Sequence, residues 1–281
     1  MTDSTTAAET ANNPYASTKA AYYALGILTI VYSINFIDRQ LLSILQESIK
    51  ADLVLSDAQL GLLTGFGFAV FYTFAGLPIA SLADKSNRRN IVAISLTIWS
   101  GMTAISGLAQ NYWQLFAARV GVGIGEAGGS PPSHSMISDI FPSDKRASAI
   151  GFYSMGISIG ILFGFLFGGW LNEFFGWRVA FFVVGIPGVL LALVLYLTVP
   201  EPIRGLAENK ASSGENTSMM AVFKVLLRRR SFLLMALGAA MTAFAGYGTA
   251  NWVASFMIRT HEMPTGELGT WLALIIGLGG A

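Results

Sequence analysis

An all-α membrane protein is the fold class this sequence predicts, and three observations carry it. Of the 281 residues 53% are apolar and only 12% charged, against about 25% charged in a soluble domain, and the mean hydropathy is +0.58. Apolar runs close to the ~20 residues needed to cross a ~30 Å hydrocarbon core recur along the chain. Lys and Arg gather in every second connection between those runs, as expected of a chain threaded back and forth through a bilayer. The net charge of +1 excludes a general polyanion binder, so no nucleic-acid partner is expected. With no cysteine and two histidines there is no disulfide framework, no cysteine metal site and no set of nucleophile, base and orienting group. Neither an enzyme nor a bound metal or organic cofactor is expected.

Residues 1–19 are a polar tail that contains acids and lacks the basic start of a cleaved signal, so the first apolar segment belongs to the mature protein. Seven spans and part of an eighth come next, near 20–47, 58–82, 90–109, 114–138, 147–170, 178–199, 231–257 and from 267 onward. The first six, within 20–199, form an expected N-terminal bundle. Residues 200–230 are rich in Glu, Lys, Asn and Ser and end in Arg228, Arg229 and Arg230, which reads as a cytoplasmic linker beside the membrane surface. Residues 231–281 begin a second bundle, and the absence of a charged or polar cap at Ala281 reads as a chain cut within a helix. With the N-terminus in the cytoplasm, that side receives twelve Lys and Arg residues and the other side three, Lys50, Arg178 and Arg259. The positive-inside bias therefore places the N-terminus in the cytoplasm, in an inner or plasma membrane.

Two basic residues remain, Arg39 and Arg119, and both lie within spans, as do Asp38 and Glu126. A charge near the bilayer centre costs at least ~2.5 kcal/mol, so all four need partners, a wet cavity or both. At 1.5 Å per residue, Asp38 and Arg39 fall roughly 6–8 Å beyond the midpoint of span 1, Glu126 falls near the midpoint of span 4, and Arg119 roughly 10 Å to its outer side. One slab holds them all. Arg119 and Glu126, seven residues apart, share a helix face to within ~20°. Asp38 and Arg39 diverge by about 100°, so one is expected to meet span 4 while the other faces a cavity. The plain alternative is a pair of ion bridges tying two helices together. Buried pairs are often no better for stability than apolar packing, which favours a polar pathway. Spans 1 and 4 also open two consecutive three-span units, the position of binding groups in inverted-repeat transporters.

The remaining motifs agree. The loop "ASLADKSNRRNIV" (80–92) brings Asp84, Lys85, Arg88 and Arg89 opposite Asp139, Lys145 and Arg146 at the inner end of span 4. That suits an electrostatic latch, or equally a purely topogenic basic loop. "RVGVGIGEAG" (119–128) carries Gly123 and Gly125, which permit close helix approach, and "FPSDKRASAIG" (141–151) sets an aromatic-Pro pair before an Arg. Span 5 carries Gly151, Gly160, Gly164, Gly168 and Gly169. These elements resemble the major facilitator superfamily: its Gly-x-x-x-Asp loop, with Ala80 in place of the first Gly; its Arg-x-x-x-Gly-x-Gly helix; and its antiporter glycines, with Phe165 where Pro is customary. "NFIDRQLLSIL", "RVGVGIGEAGGSPPSHSMISDIFPSDKRASAIGFYSMG" and "FGWRVAFFVVGIPG" resemble Spinster-type lipid transporters more closely.

That resemblance implies two six-helix halves, alternating access, proton coupling and an amphiphilic substrate such as a lysophospholipid or sphingosine phosphate. It further implies Asp38 and Glu126 as proton-coupling acids, with Arg39 and Arg119 as switching partners or head-group anchors. It points to Asp84, Arg88, Asp139 and Arg146 as a cytoplasmic gate. The chemistry agrees, because moving an Arg away from a buried acid favours proton uptake, and Arg grips phosphate with two prongs. A proton-coupled drug or organic-anion carrier is the alternative, and a channel is the outsider. The expected partners are the bilayer and the substrate, and the protein is expected to be a monomer. In span 7, "GYGTANWVASF" (246–256) offers Tyr247, Asn251 and Trp252 to the cavity, with Trp252 equally suited to an interfacial anchor. His134 reads as a packing or solvated residue and Glu47 as a solvated cap.

Overall fold

The computed structural model describes residues 14–205 and 219–279, and every regular element among them is helical. The first part of the polar tail, the middle of the linker, Gly280 and Ala281 lie outside the described residues. In chain order the helices are α1 (Thr18–Leu53), α2 (Asp57–Lys85), α3 (Arg88–Ser106), α4 (Tyr112–Glu126), α5 (Ser130–Ile140), α6 (Ser143–Phe175), α7 (Trp177–Thr198), α8 (Met219–Arg228), α9 (Arg230–His261) and α10 (Thr265–Leu278). Five of them, α1, α2, α6, α7 and α9, are long and apolar enough to cross a membrane. Local chemistry sets the boundaries. Ser56 and Gln59 form a reciprocal capping box at the start of α2, while Asn87 and Asn111 accept bonds from the backbone N–H of Asn90 and Gln114 to start α3 and α4. Gly176, at φ +82°, makes the one-residue turn between α6 and α7.

Two expectations need correction. Span 4 is not continuous: α4 ends at Glu126, and α5 restarts at Ser130 with prolines in its first turn. Pro131 and Pro132 have no N–H to bond the carbonyls of residues 127 and 128, so the helix must break there. The composition of residues 200–230 also reads as a flexible linker between two bundles, but Met219–Arg228 form a ten-residue helix, α8.

The helices alternate in direction between two ends, named here for Arg88 and Arg259. The tightest seam joins α6 to α1. A Cβ at Gly156 would stand 2.9 Å from the Thr29 carbonyl, at Gly160 2.5 Å from the Ser33 carbonyl, at Gly164 2.8 Å from Gln40 Cβ, and at Gly168 2.6 Å from Ile44. This four-residue spacing is a packing groove. Gly151 meets nothing, and Gly169 faces Gly269 of α10, so neither belongs to this groove against α1. Phe165 is fully buried, and α6 runs unbroken for 33 residues. The apolar core divides in two: one part holds the first half of α1 with α3 and α5, the other holds Leu41–Ile49 with α7 and α10. Between them α1 presents buried Ser33, Asn35 and Asp38.

Candidate functional site

In that polar layer α1 and α4 are joined by two crossed ion pairs. Arg39 places both Nε and Nη2 2.8 Å from Oε2 of Glu126, and Arg119 Nη1 lies 3.4 Å from Oδ1 of Asp38. The sequence suggested that only one residue of the Asp38–Arg39 pair would meet span 4, but both do. Arg119 and Glu126 stand two turns apart, so the long guanidinium arms close the angular gap between neighbouring residues of α1. The four side chains are exposed by 1% (Asp38), 0% (Glu126), 3% (Arg119) and 18% (Arg39). Arg39 also sits among three aromatic faces, 5.2 Å from the Phe36 ring centre, 4.9 Å from Phe68 and 5.3 Å from Tyr72. These favour the cation where water is scarce.

Several buried polar atoms of this layer make no hydrogen bond to protein: Asp38 Oδ2, Glu126 Oε1, Arg119 Nε and, on neighbouring α3, Ser100 Oγ and Trp99 Nε1. An unsatisfied buried group costs about 1–3 kcal/mol.

Beside the pairs lies a cavity of about 290 Å³ lined by Arg39 and Leu42 of α1, Arg119 of α4, Tyr247 and Asn251 of α9, and a face of α2 comprising Thr64, Gly65, Phe68, Ala69, Tyr72 and Thr73. Both guanidiniums therefore serve an acid and a cavity wall at once. Tyr247 and Asn251 occupy the wall suggested for them, but Trp252 does not. It packs over Gly61 at the start of α2 and, half-buried, against the apolar core near the Arg259 end. The α2 wall was not singled out from sequence. Its only signal there is the four-residue spacing of Phe68 and Tyr72, which a lipid-facing helix shows equally.

At the Arg88 end the sequence-suggested latch takes a different form. Arg88 is 1% exposed; its Nη1 lies 2.5 Å from Asp139 and donates to Ser135 at 2.8 Å, its Nε to Glu201 at 2.8 Å and its Nη2 to the Pro202 carbonyl at 2.9 Å. Arg146 donates to the Ser138 carbonyl. The Asp84 side chain is exposed, and the contact made by that residue is its backbone carbonyl accepting from Arg204, which also bonds the carbonyls of Ala83 and Ser86. Glu201, read from sequence as linker, is thus central to the Arg88 network, Arg204 ties the same stretch to the end of α2, and the Asp84 side chain joins neither. Tyr15 packs into the same region against the Pro200 carbonyl, and burial raises its phenol above the ordinary range. His134 rests edge-on against Tyr153 at 5.0 Å, the packing alternative of the two roles read for it.

At the other end Glu47 is no solvated cap. Arg259 of α9 donates to Glu47 of α1 at 2.7 and 2.9 Å and to Asp57 of α2 at 2.6 and 3.0 Å, while Lys50 reaches Asp57 at 2.7 Å. Deeper in, Gln46 and Ser43 donate to the α9 carbonyls of Asn251 (2.5 Å) and Ala250 (3.0 Å). By contrast, every α9 residue from 231 to 249 is exposed. α9 meets α1 and α2 at the Arg259 end and leaves them toward the Arg88 end, where the other helices stay packed.

Comparison with known proteins places this arrangement. Residues 28–281 match the Major Facilitator Superfamily. The chain is 35% identical over 263 residues to an MFS-type efflux pump of Mycolicibacterium smegmatis, covering 92% of this chain and 59% of the pump. It is 30% identical to protein spinster homolog 3 of Danio rerio over 248 residues, 87% of this chain and 50% of that protein. Its fold superposes with TM-score 0.85, at 38% identity and over 94% of its length, on a bacterial homologue of the human lysosomal transporter Spinster in an inward-facing, unoccupied conformation, of which it covers 61%. The chain thus spans roughly half to three fifths of the relatives it matches. Its apolar helices and these relatives mark an integral membrane protein, and the chain belongs to the Major Facilitator Superfamily.

Proposed function

We propose that this chain is the substrate- and proton-handling part of a secondary active transporter that moves an amphiphilic, lipid-like anion of the lysophospholipid or sphingosine phosphate class by alternating access. Residues 20–199 act as the N-terminal bundle, 200–230 as a cytoplasmic linker and 231–281 as the first helices of the second bundle, with the N-terminus in the cytoplasm of an inner or plasma membrane. Protons are the coupling ion, and the protein works as a monomer without metal or organic cofactor. The observation that carries the reading is the double duty of Arg39 and Arg119, each bound to a buried acid and each lining the cavity. An anionic head group entering the cavity competes with Glu126 for Arg39. A buried carboxylate that loses its guanidinium is then neutralised by a proton, so occupancy and protonation are linked through one side chain. Phe68, Ala69, Tyr72 and Leu42 supply the apolar wall for the body of the substrate.

The test is uptake by the protein in liposomes under an imposed pH gradient. Asp38→Asn and Glu126→Gln are expected to abolish gradient-driven uptake while the purified proteins stay folded; normal coupling in both would remove the assignment. A second reading, a drug or organic-anion carrier, is favoured by the efflux-pump relative and by a cavity of about 290 Å³, at the small end of the ~300–1,000 Å³ usual for ligand sites. Counterflow with lysolipids, cationic drugs and small organic anions separates the two, and conduction without saturation would point instead to a channel.

A further inference from the structure

Resting on that transport reading, we infer that Gly65 is the steric selector of the cavity, the position that sets how broad an apolar body can lie beside the two guanidiniums. The α2 wall is a single helix face, Gly65, Phe68, Ala69, Tyr72 and Thr73 succeeding one another at helical spacing with Thr64 beside them. Gly65 is its one residue without a side chain, so a ligand can reach the helix backbone there. The residue lies in the π-helical turn Leu62–Phe66, a distortion that recurs at functional sites.

Neighbouring glycines show that the space at Gly65 is not a packing requirement. A Cβ on Gly67 would stand 2.7 Å from the Phe116 ring and 2.8 Å from the Leu62 carbonyl, so Gly67 lets α4 approach. On Gly61 it would make an ordinary 3.7 Å contact with Trp252. On Gly65 it would meet nothing within 4 Å, and the room lies in the cavity that Gly65 lines. Arg39 and Arg119 fix where an anionic head sits, and the rigid wall then limits the width of the tail attached to it. Straight tails pass, and branched ones depend on the missing Cβ.

The experiment measures binding and uptake of straight-chain and branched-chain alkyl phosphates of equal carbon number. Calorimetry on the purified protein gives the affinity ratio, and liposome uptake gives the transport ratio. Since one methylene in a tight apolar pocket is worth roughly tenfold or more, Gly65→Ala is expected to lower the branched-to-straight affinity ratio about tenfold and Gly65→Val to lower it further. Gly76→Ala and Gly76→Val serve as controls, because Gly76 is on the same helix, also open to an added Cβ and outside the cavity wall; they are expected to keep the wild-type ratio. A Gly65→Val ratio within twofold of wild type would overturn the inference. So would a Gly65→Ala protein that fails to fold, or a wild type that binds neither series. A wild type that binds both series and moves neither would remove the transport reading, and the affinity ratio would still decide the role of Gly65.

Discussion

Arg39 gives one hydrogen bond to Oε2 of Glu126, with Nη2 at ion-pair distance from the same oxygen, and none to Oε1, and Arg119 holds Asp38 at a long 3.4 Å. Such pairs are poor fasteners, because desolvation offsets most of the attraction. Breaking one is a different matter, since the survivor is left as a bare buried charge at about 3–5 kcal/mol. Arg39→Gln is therefore expected to lower stability by ~3 kcal/mol or more, read from thermal melts in detergent. The double substitution Arg39→Met with Glu126→Leu is expected to recover most of that loss while uptake stays absent. A double variant as unstable as the single one would show that the layer is structural after all. The four charged residues were legible in the sequence because ionised groups inside apolar spans have few explanations. Their crossed pairing was not, because side-chain reach and helix rotation decide it.

At the scale of helices, α6 shows where spacing informs and where it misleads. Gly160, Gly164 and Gly168 fall four apart, and the fourth member of the groove is Gly156, one turn before Gly160. Gly151 is off that register by one residue, and a helix turns such a position away. Gly160→Ala would force a methyl group against the Ser33 carbonyl and Phe36 Cβ, both 2.5 Å from the new atom. It is expected to destabilise the protein by about 1–3 kcal/mol, as overpacking does, while Gly151→Ala leaves the melting temperature unchanged. Equal melts for the two would contradict the seam between α6 and α1. The break after Glu126 was similarly written in "GGSPP". Hydropathy conceals it, because proline and glycine interrupt a helix without making it polar.

Across the whole molecule, the contacts of α9 with α1 and α2 cluster toward one end. The Arg259 clamp is partly exposed, with Arg259 at 35%, Glu47 at 19% and Asp57 at 51%, and exposed ion pairs contribute little net stability. On the transport reading proposed above, that suits a contact made and broken in each cycle. The absence of cysteine makes the point testable. Ser255 is 2% exposed on α9, and a Ser255→Cys protein can be challenged with a membrane-impermeant thiol reagent. Adding Arg259→Gln is expected to raise the labelling rate of the Ser255→Cys protein several-fold; an unchanged rate would mean that Gln46, Ser43 and apolar packing hold that end closed without the clamp.

The sequence by itself determined that the chain is a helical membrane protein, roughly where its spans run, and which four charges lie among them. Those features arise from local chemistry, namely hydrocarbon thickness, capping residues and the penalty on ionised groups away from water. Only the tertiary structure decided that the ion pairs cross, that the Asp84 side chain stands outside the Arg88 network while Glu201 completes it, that Trp252 lies away from the cavity, and that one bare wall position opens onto it. These depend on the rotation and separation of helices distant in sequence, set by packing of the whole bundle, which no single segment encodes.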